Sequence, residues 1–390
     1  MAKHHTPRIL WGMANKASST IEIFSRLVDV GQEAWDACAG QGSPFVSYAF
    51  LSALEESGSV GEGTGWYPRY LVMRNEEGEV SAVLPSYAKT HSYGEYVFDQ
   101  GWANAFERVG GHYYPKLQVS VPFSPVPGPR LLTQGKSLLS IAKAMEAVVE
   151  ASAYSSAHVA FCTQAEWQEL GQAGWLQRLG MQFHWENHNY THFDDFLDGL
   201  TSRKRKSIHR ERRVAQAGLT FRALSGAEVT PRLWELFYGF YVSTVERKWG
   251  GAYLTPEFFP LLGGRLADKV VLMLAERNGR PIAGALNLVG EDVLYGRNWG
   301  CSEDVPFLHF ELCYYQAIDY AITHRFKRVE AGAQGEHKIQ RGYLPQPTYS
   351  AHYIANPGLR QAVSQFLDEE REAMIRTIST LAQDGPYKTV

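Results

Sequence analysis

Between residues 330 and 345 the chain reads EAGAQGEHKIQRGYLP. Glu330, Glu336, His337, Lys338, Arg341 and Tyr343 stand close together there, punctuated by Gly332, Gly335 and Gly342 and closed by Pro345. These residue types divide into two chemical jobs. Lys338 and Arg341 could hold a developing negative charge or a phosphate. Glu336 and His337 could take or give a proton. Gln334 and Gln340 add amide groups to the same segment. The same letters would also suit a bent strand whose charges face water.

Other residues are spaced for chemistry. His309 and Glu311 lie two apart on a helical stretch, so they point to different sides. Glu311 is a further candidate base. In ALNLVGEDVLYGRNWG (285–300), Tyr295, Arg297 and Trp299 alternate, so regular strands would put all three on one face. Asn287 and Arg297 on a central strand imply a polar lining, since buried polar groups need partners. SRKRKSIHRERR packs seven Lys/Arg into the eleven residues from Arg203 to Arg213. Arg203, Lys204 and Lys206 are its leading candidates for phosphate contacts. No aromatic residue interleaves them to stack on bases. Arg130, at the end of the Pro-rich PFSPVPGPR, could touch a ligand or brace a rigid crossing. His184, His188 and His192 recur every four residues, but on a strand or loop, where that spacing does not converge on a metal.

The elements that must position these groups can be read from pattern. Strand-like IEIFSRL is followed by helical GQEAWDACAG and FVSYAFLSALEESG, then a hairpin around Glu76-Glu77-Gly78. A strand should precede the prolines at 122–129, which cannot sit in a central strand. KSLLSIAKAMEAVVEAS is helical, SAHVAFCT a buried strand, and EWQELGQAGWLQRLG helical again. From 219 a second pass begins: strand, long helix, a hairpin on Asn278-Gly279, strand, and a helix over 306–326 with Pro306 at its first position and Ser302 or Asp304 as cap. RVEAG is the strand after it, and a helix near 357–383 closes the chain. Hairpin, strand, helix, strand thus occurs twice, without a residue-level repeat.

The chain has 390 residues, enough for two or three domains, and a formal net charge of −3. Residues 1–200 carry 13 Lys/Arg against 21 Asp/Glu, and residues 201–390 carry 25 against 20. An anionic ligand therefore suits the second half. Cys38, Cys162, Cys301 and Cys313 are dispersed, which implies neither a disulfide scaffold nor a zinc ribbon and fits a reducing compartment. The first 20 residues lack the apolar core of a signal peptide, and VVLML is too short to span a bilayer. These features predict a cytoplasmic protein with a flexible N-terminus over 1–19 and no membrane span.

Several strings carry a resemblance: YPKLQVSVPFSPVPGPRLL, QFHWEN, FDDFLDGLTSRKRKSI, RKWG, ALNLVGEDVLYGRNWGC, LHFELCYYQAIDYAI and EAGAQGEHKIQRGYLPQPTYSAH. Over about residues 20–355 the chain resembles the GNAT-superfamily branch called DUF482, "peptidoglycan biosynthesis/recognition", related to the FemABX aminoacyl transferases. The resemblance implies an α+β fold of two tandem GNAT-like domains with mixed, mainly antiparallel sheets. Their expected spans are 20–195 and 196–356, with a C-terminal helix and tail over 357–390. It also implies transfer of an acyl or aminoacyl group to an amine by direct attack. HKIQRGYLP is similar to a FemABX motif, with Lys338 and Arg341 ahead of Gly342-Tyr343 and Leu344-Pro345 where a second glycine would stand. In that chemistry Lys338 and Arg341 stabilise the oxyanion, and Glu336, His337 or Glu311 manages the proton. Arg297, Tyr295, Trp299, Tyr343, Arg130, Arg203, Lys204 and Lys206 are the candidate substrate contacts.

The resemblance implies no tightly bound cofactor. The donor would be aminoacyl-tRNA or acyl-CoA, and the acceptor a small-molecule or cell-wall-precursor amine, with tRNA held by 203–213. In a CoA-dependent GNAT a Gly-rich turn and a helix N-terminus cradle the pyrophosphate. Here no glycine lies between Gly300 and the helix, and Glu303 and Asp304 place negative charge there. That favours aminoacyl-tRNA as donor. An acyl-CoA-dependent N-acyltransferase and a non-catalytic binder of a cell-wall or nucleotide ligand remain as alternatives.

Overall fold

The computed structural model of the chain describes residues 8–11, 19–249, 251–333 and 335–388. Most of the expected flexible N-terminus, and Gln334, lie outside them. Two compact units form. The first takes Met1–Gly180 and Pro347–Ile375, the second Met181–Gln346 and Arg376–Val390. The first begins with β1 (Arg8–Trp11), β2 (Ser19–Phe24), β3 (Trp66–Pro68), β4 (Tyr70–Arg74) and β5 (Val80–Leu84). It continues with β6 (Ser86–Lys89), β7 (Lys116–Val119), β8 (Leu132–Thr133) and β9 (Ser156–Cys162). Then β10 (Leu176–Glu186) leads into the second unit. That unit holds β11 (Thr220–Ser225), β12 (Val270–Arg277), β13 (Arg280–Val289), β14 (Val293–Cys301) and β15 (Arg328–Glu330), and β16 (Leu344–Ile354) leads back. Because β10 and β16 each start in one unit and end in the other, neither unit is one contiguous segment such as 20–195 or 196–356.

In the first unit, β1, β2, β4, β5 and β8 make one sheet in the order β1-β2-β4-β5-β8, and β16-β9-β7-β6-β3 lie side by side in another. Only the β7–β9 pair among these is parallel. The helix Leu138–Ala151 joins that pair and buries Ile141, Met145, Val148 and Val149. Burying such side chains contributes roughly 1.5–3 kcal/mol each. The expected helix over 166–180 stops early. Gln164–Gln172 is helical, with a Thr163–Glu166 capping box, but Gly174 turns left-handed at φ +88° and β10 begins at Leu176.

In the second unit the strand order is β11-β12-β13-β14-β15-β10. The β12–β13 hairpin turns on Asn278-Gly279, with φ of 51° and 74°, as the two residues of a tight hairpin require. Here too one pair, β14–β15, is parallel. A helical run joins it: Leu308–Phe310, Glu311–Tyr315 and Gln316–Thr323. Its inner face meets Phe183, Trp185, Leu294 and Val329 in the core. The expected span of 306–326 is too long. Phe307 takes a left-handed φ of 64°, costly for so bulky a residue, and no side chain caps the start. Ser302 Oγ donates instead to Ile282 O at 3.2 Å, and Glu303 pairs with Arg277 at 3.0 Å. At the far end Arg325 is left-handed as well. The helix Pro357–Gln383 follows β16. Among the described residues no helix is long and apolar enough to cross a membrane.

Candidate active site at the strand fork of the second unit

The parallel ladder between β14 and β15 is short, from Val293↔Arg328 to Tyr295↔Glu330. Beyond it β14 pairs with β13 alone, and that pairing slips. Asn287 stands opposite Gly296 and Leu286 opposite Asn298, which leaves Arg297 as an extra, bulged residue. A bulge bends its strand and reverses the alternation of side chains. β14 therefore leaves β15, and a cavity of about 100 Å³ lies in the fork. It is lined by Ala285, Leu286, Asn287, Gly296, Arg297, Asn298, Trp299, His309, Cys313, Tyr314 and Ala331. A Cβ at position 296 would come within 3.3 Å of Glu330 O and 3.5 Å of Asn287 Oδ1, so glycine keeps the fork clear.

The bulge corrects the expectation that Tyr295, Arg297 and Trp299 share a face. Trp299, opposite Ala285, lines the cavity with its ring centroid 4.8 Å from that of His309. Tyr295, opposite Leu288 and Glu330, lies on the other face. The helix has an irregularity of its own, since Glu311–Tyr315 forms a π-helical turn. A π turn holds more residues than an α turn and recurs at functional sites. It lets His309, Cys313 and Tyr314 all reach the cavity.

Tyr314 lines the cavity and was not among the residues that pattern reading named. Its hydroxyl is 2.9 Å from His337 Nε2, and burial raises its pKa further above the ordinary tyrosine value, so it is a protonated donor at neutral pH. The only trace in the sequence is a tyrosine five residues after His309, a spacing that converges only through the π turn. Lys338 is 2% exposed and donates to Gly332 O at 2.8 Å. Burial pulls its ammonium down to about 7, against a smaller opposing effect of Cys313 nearby. It can therefore exchange a proton near neutrality. Glu336 and His337, the two residues before that buried lysine in the same turn, are exposed.

The remaining candidates have partners of their own. Arg341 stacks 3.4 Å above the Phe310 ring, donates to His337 O at 2.7 Å, and pairs with Glu211 at 3.0 Å. Glu311 is wholly buried. It accepts from Arg212 at 3.2 Å, Gln216 at 2.9 Å and Gln316 at 2.8 Å. Both ion pairs fasten the helix Ser202–Ala215 beside the fork. Tyr343 is unexposed and packs beneath Tyr314, its hydroxyl 3.4 Å from Tyr314 O. On Ser202–Ala215, Ile208, Glu211, Arg212 and Ala215 face inward or lie partly covered. Arg203, Lys206, Arg210 and Arg213 recur at i, i+3, i+7 and i+10 and are all exposed, forming one outward stripe with Lys204 half-buried beside it. Arg130 belongs to the first unit. Its guanidinium donates to Ala160 O at 3.0 Å, Pro129 O at 3.0 Å and Val126 O at 2.5 Å, which makes it a brace. Among the described residues no cluster of His, Cys, Asp and Glu is arranged to hold a metal ion.

Two units, each with mostly antiparallel strands and one parallel pair joined by a helix, define a tandem GNAT-like fold. Solved structures share this fold. The C-terminal DUF2156 domain of a proposed lysylphosphatidylglycerol synthetase from Agrobacterium fabrum matches 86% of this chain and 94% of its own, at TM-score 0.52 and 12% identity. FemX matches 85% and 98%, at 0.50 and 13%. L-PGS from Bacillus licheniformis matches 84% and 98%, at 0.50 and 11%. No curated protein matches in sequence. The chain belongs to the FemAB-like family, described as peptidoglycan biosynthesis/recognition, which it matches over residues 26–389.

Proposed function

We propose that this protein transfers an acyl or aminoacyl group to the amine of a cell-wall-related acceptor, with the acyl carbonyl seated in the β14/β15 fork. The observation that carries the reading is the cavity itself. A bulge and a π turn, each costly in a regular fold, cooperate to bring His309, Tyr314, Asn287 and Trp299 around one small space. Membership of the FemAB-like family supports the peptidoglycan-related acceptor.

The step is direct. The amine attacks the acyl carbonyl, a tetrahedral oxyanion forms, and the donor oxygen leaves with a proton. Tyr314, held by His337 and kept protonated by burial, is placed to donate to the oxyanion or the leaving oxygen. Lys338 adds positive charge below about pH 7 and a proton acceptor above it. Arg341 and Glu311 hold the neighbouring helix in place instead of touching substrate.

The donor we propose is aminoacyl-tRNA. The stripe Arg203, Lys206, Arg210 and Arg213 supports this, because a line of exposed cations tracks a phosphodiester backbone. Each phosphate contact contributes close to one unit to the slope of log K against log salt. Filter retention of radiolabelled aminoacyl-tRNAs and of acetyl-CoA tests it. Replacing all four stripe residues by glutamine should lower the salt slope by about 3. Retention of acetyl-CoA alone, with no salt-sensitive tRNA binding, would transfer the reading to an acyl-CoA donor.

A further inference from the structure

The fork has a second face. On the side of the sheet away from Trp299, β10, β15 and β14 set His184, Glu330 and Tyr295 in register, His184 opposite Glu330 and Glu330 opposite Tyr295. Glu330 is 3% exposed and His184 6%. Neither carboxylate oxygen of Glu330 makes a hydrogen bond, and neither does His184 Nε2. Arg328 Nη2 stands 3.0 Å from Glu330 Oε1 and offsets part of its charge. Glu330 Oε2 and His184 Nε2 are 3.9 Å apart. That is too far for a bond between them, but one nitrogen donating to both at about 2.9 Å would span it. Buried acceptors of this kind are normally paired.

We propose that Glu330 and His184 receive the primary ammonium of the acceptor, and that Glu330 is the base that activates it. The proposal rests on the reading of the fork as the transfer site. It places donor and acceptor on opposite faces of one sheet, meeting where β14 leaves β15. The Glu330 carboxylate takes one proton from R–NH3+. The freed amine forms the C–N bond as the bond from carbonyl carbon to donor oxygen breaks. The second nitrogen proton goes to that leaving oxygen, and the third stays on the amide. Glu330 then returns its proton to solvent.

The electrostatics agree. Burial pushes the Glu330 carboxyl up to about 7 against the pull of Arg328, close to the best value for a base at neutral pH. Burial holds His184 down at about 3, so its ring is neutral and Nε2 can accept when Nδ1 carries the proton. The other groups facing Glu330 are Glu186 on β10 and Tyr295 and Arg297 on β14.

Two measurements decide it. The first needs no donor: calorimetric binding of Nα-acetyl-lysine amide, which carries one primary ammonium, to the full chain. We expect saturable millimolar binding by the wild type, at least tenfold weaker binding by the isosteric Glu330→Gln, and none of the Nε-acetylated, uncharged analogue. Absence of saturable binding, or wild-type affinity in Glu330→Gln, overturns the proposal whether or not transfer occurs. The second is the pH profile of kcat. The wild type should rise through about pH 7, and Glu330→Gln should lose that limb and about 10²-fold in rate. Transfer that keeps both limb and rate in Glu330→Gln overturns the base while leaving the transferase reading intact. A failure of transfer in the wild type with ammonium binding preserved sinks that reading and the base role with it, and leaves only the ammonium site.

Discussion

Each unit contains one parallel strand pair joined by a helix, and the two pairs meet different fates. In the second unit the β14–β15 ladder ends at Tyr295↔Glu330, and the bulged strand opens a lined cavity. In the first unit the β7–β9 ladder ends at Val119↔Val159, and β9 runs on to Cys162. There the chain itself takes the edge that β7 vacates. Gly128 N donates to Phe161 O at 3.0 Å and Arg130 Nε to Ala160 O at 3.0 Å. Glu166 Oε1 fixes the same segment by accepting from the backbone N–H groups of Arg130 and Leu131 at 2.8 and 2.6 Å. An unpaired strand edge invites pairing. One fork satisfies it with a proline-rich crossing, and the other leaves it open on a cavity. Topology alone therefore does not make a cavity; the segment beyond the ladder decides whether the opening is filled or kept.

The largest effect that would break this comparison is on turnover. Tyr314→Phe should lower kcat by 10²-fold or more while leaving the fold intact, since it removes one hydroxyl and no packing volume. A kcat within threefold of wild type would mean that the open fork is not the reaction centre. The next effect is on stability. Arg130→Met leaves three carbonyls, two of them buried, without their donor, and should cost about 3 kcal/mol in denaturant unfolding. Once folded, that variant should transfer at the wild-type rate. A selective loss of activity with stability unchanged would show that the crossing does more than fill the first fork.

Much of the scaffold was legible. Asn278-Gly279 announced its hairpin, the prolines at 122–129 announced a non-strand crossing, and the strings around 285–300 and 330–345 pointed to the second unit. The site itself was only partly so. Its two generating features are departures from period, and pattern reading assumes regular period. The bulge at Arg297 separated Tyr295 from Trp299, and the π turn joined His309 to Tyr314. Side-chain pairing was equally invisible: Glu311 and Arg341 look reactive in one dimension, but Arg212 and Glu211 claim them from 99 and 130 residues away. In the first unit Lys89 and Lys116 sit opposite each other on β6 and β7, both unexposed. Only the fold shows that Glu95 and Asp99 reach Lys116, at 2.7 and 2.5 Å.

Those buried lysines give the subtlest test of the comparison. Burial depresses both Lys338 in the second unit and Lys89 in the first to about 7. Between about pH 7 and the ordinary lysine value of 10.5, the unfolded chain holds each proton and the folded chain does not. Stability therefore rises with pH across that window, by about 1.4 kcal/mol per pH unit for each such lysine, and the contribution is lost as pH falls towards 7. Glu95 and Glu330, raised by burial to about 7, act below this window, where stability falls as pH rises from about 4.5. Lys338→Met should remove half of the alkaline-side slope between pH 7 and 9, below the range where the raised thiols of Cys38 and Cys162 oppose it. If the units unfold in separate transitions, the loss should fall on the second alone. A full slope in Lys338→Met, measured by urea unfolding from pH 7 to 9, would mean that Lys338 keeps its proton in the folded state. It would then serve the fork as a fixed cation instead of a group that exchanges protons.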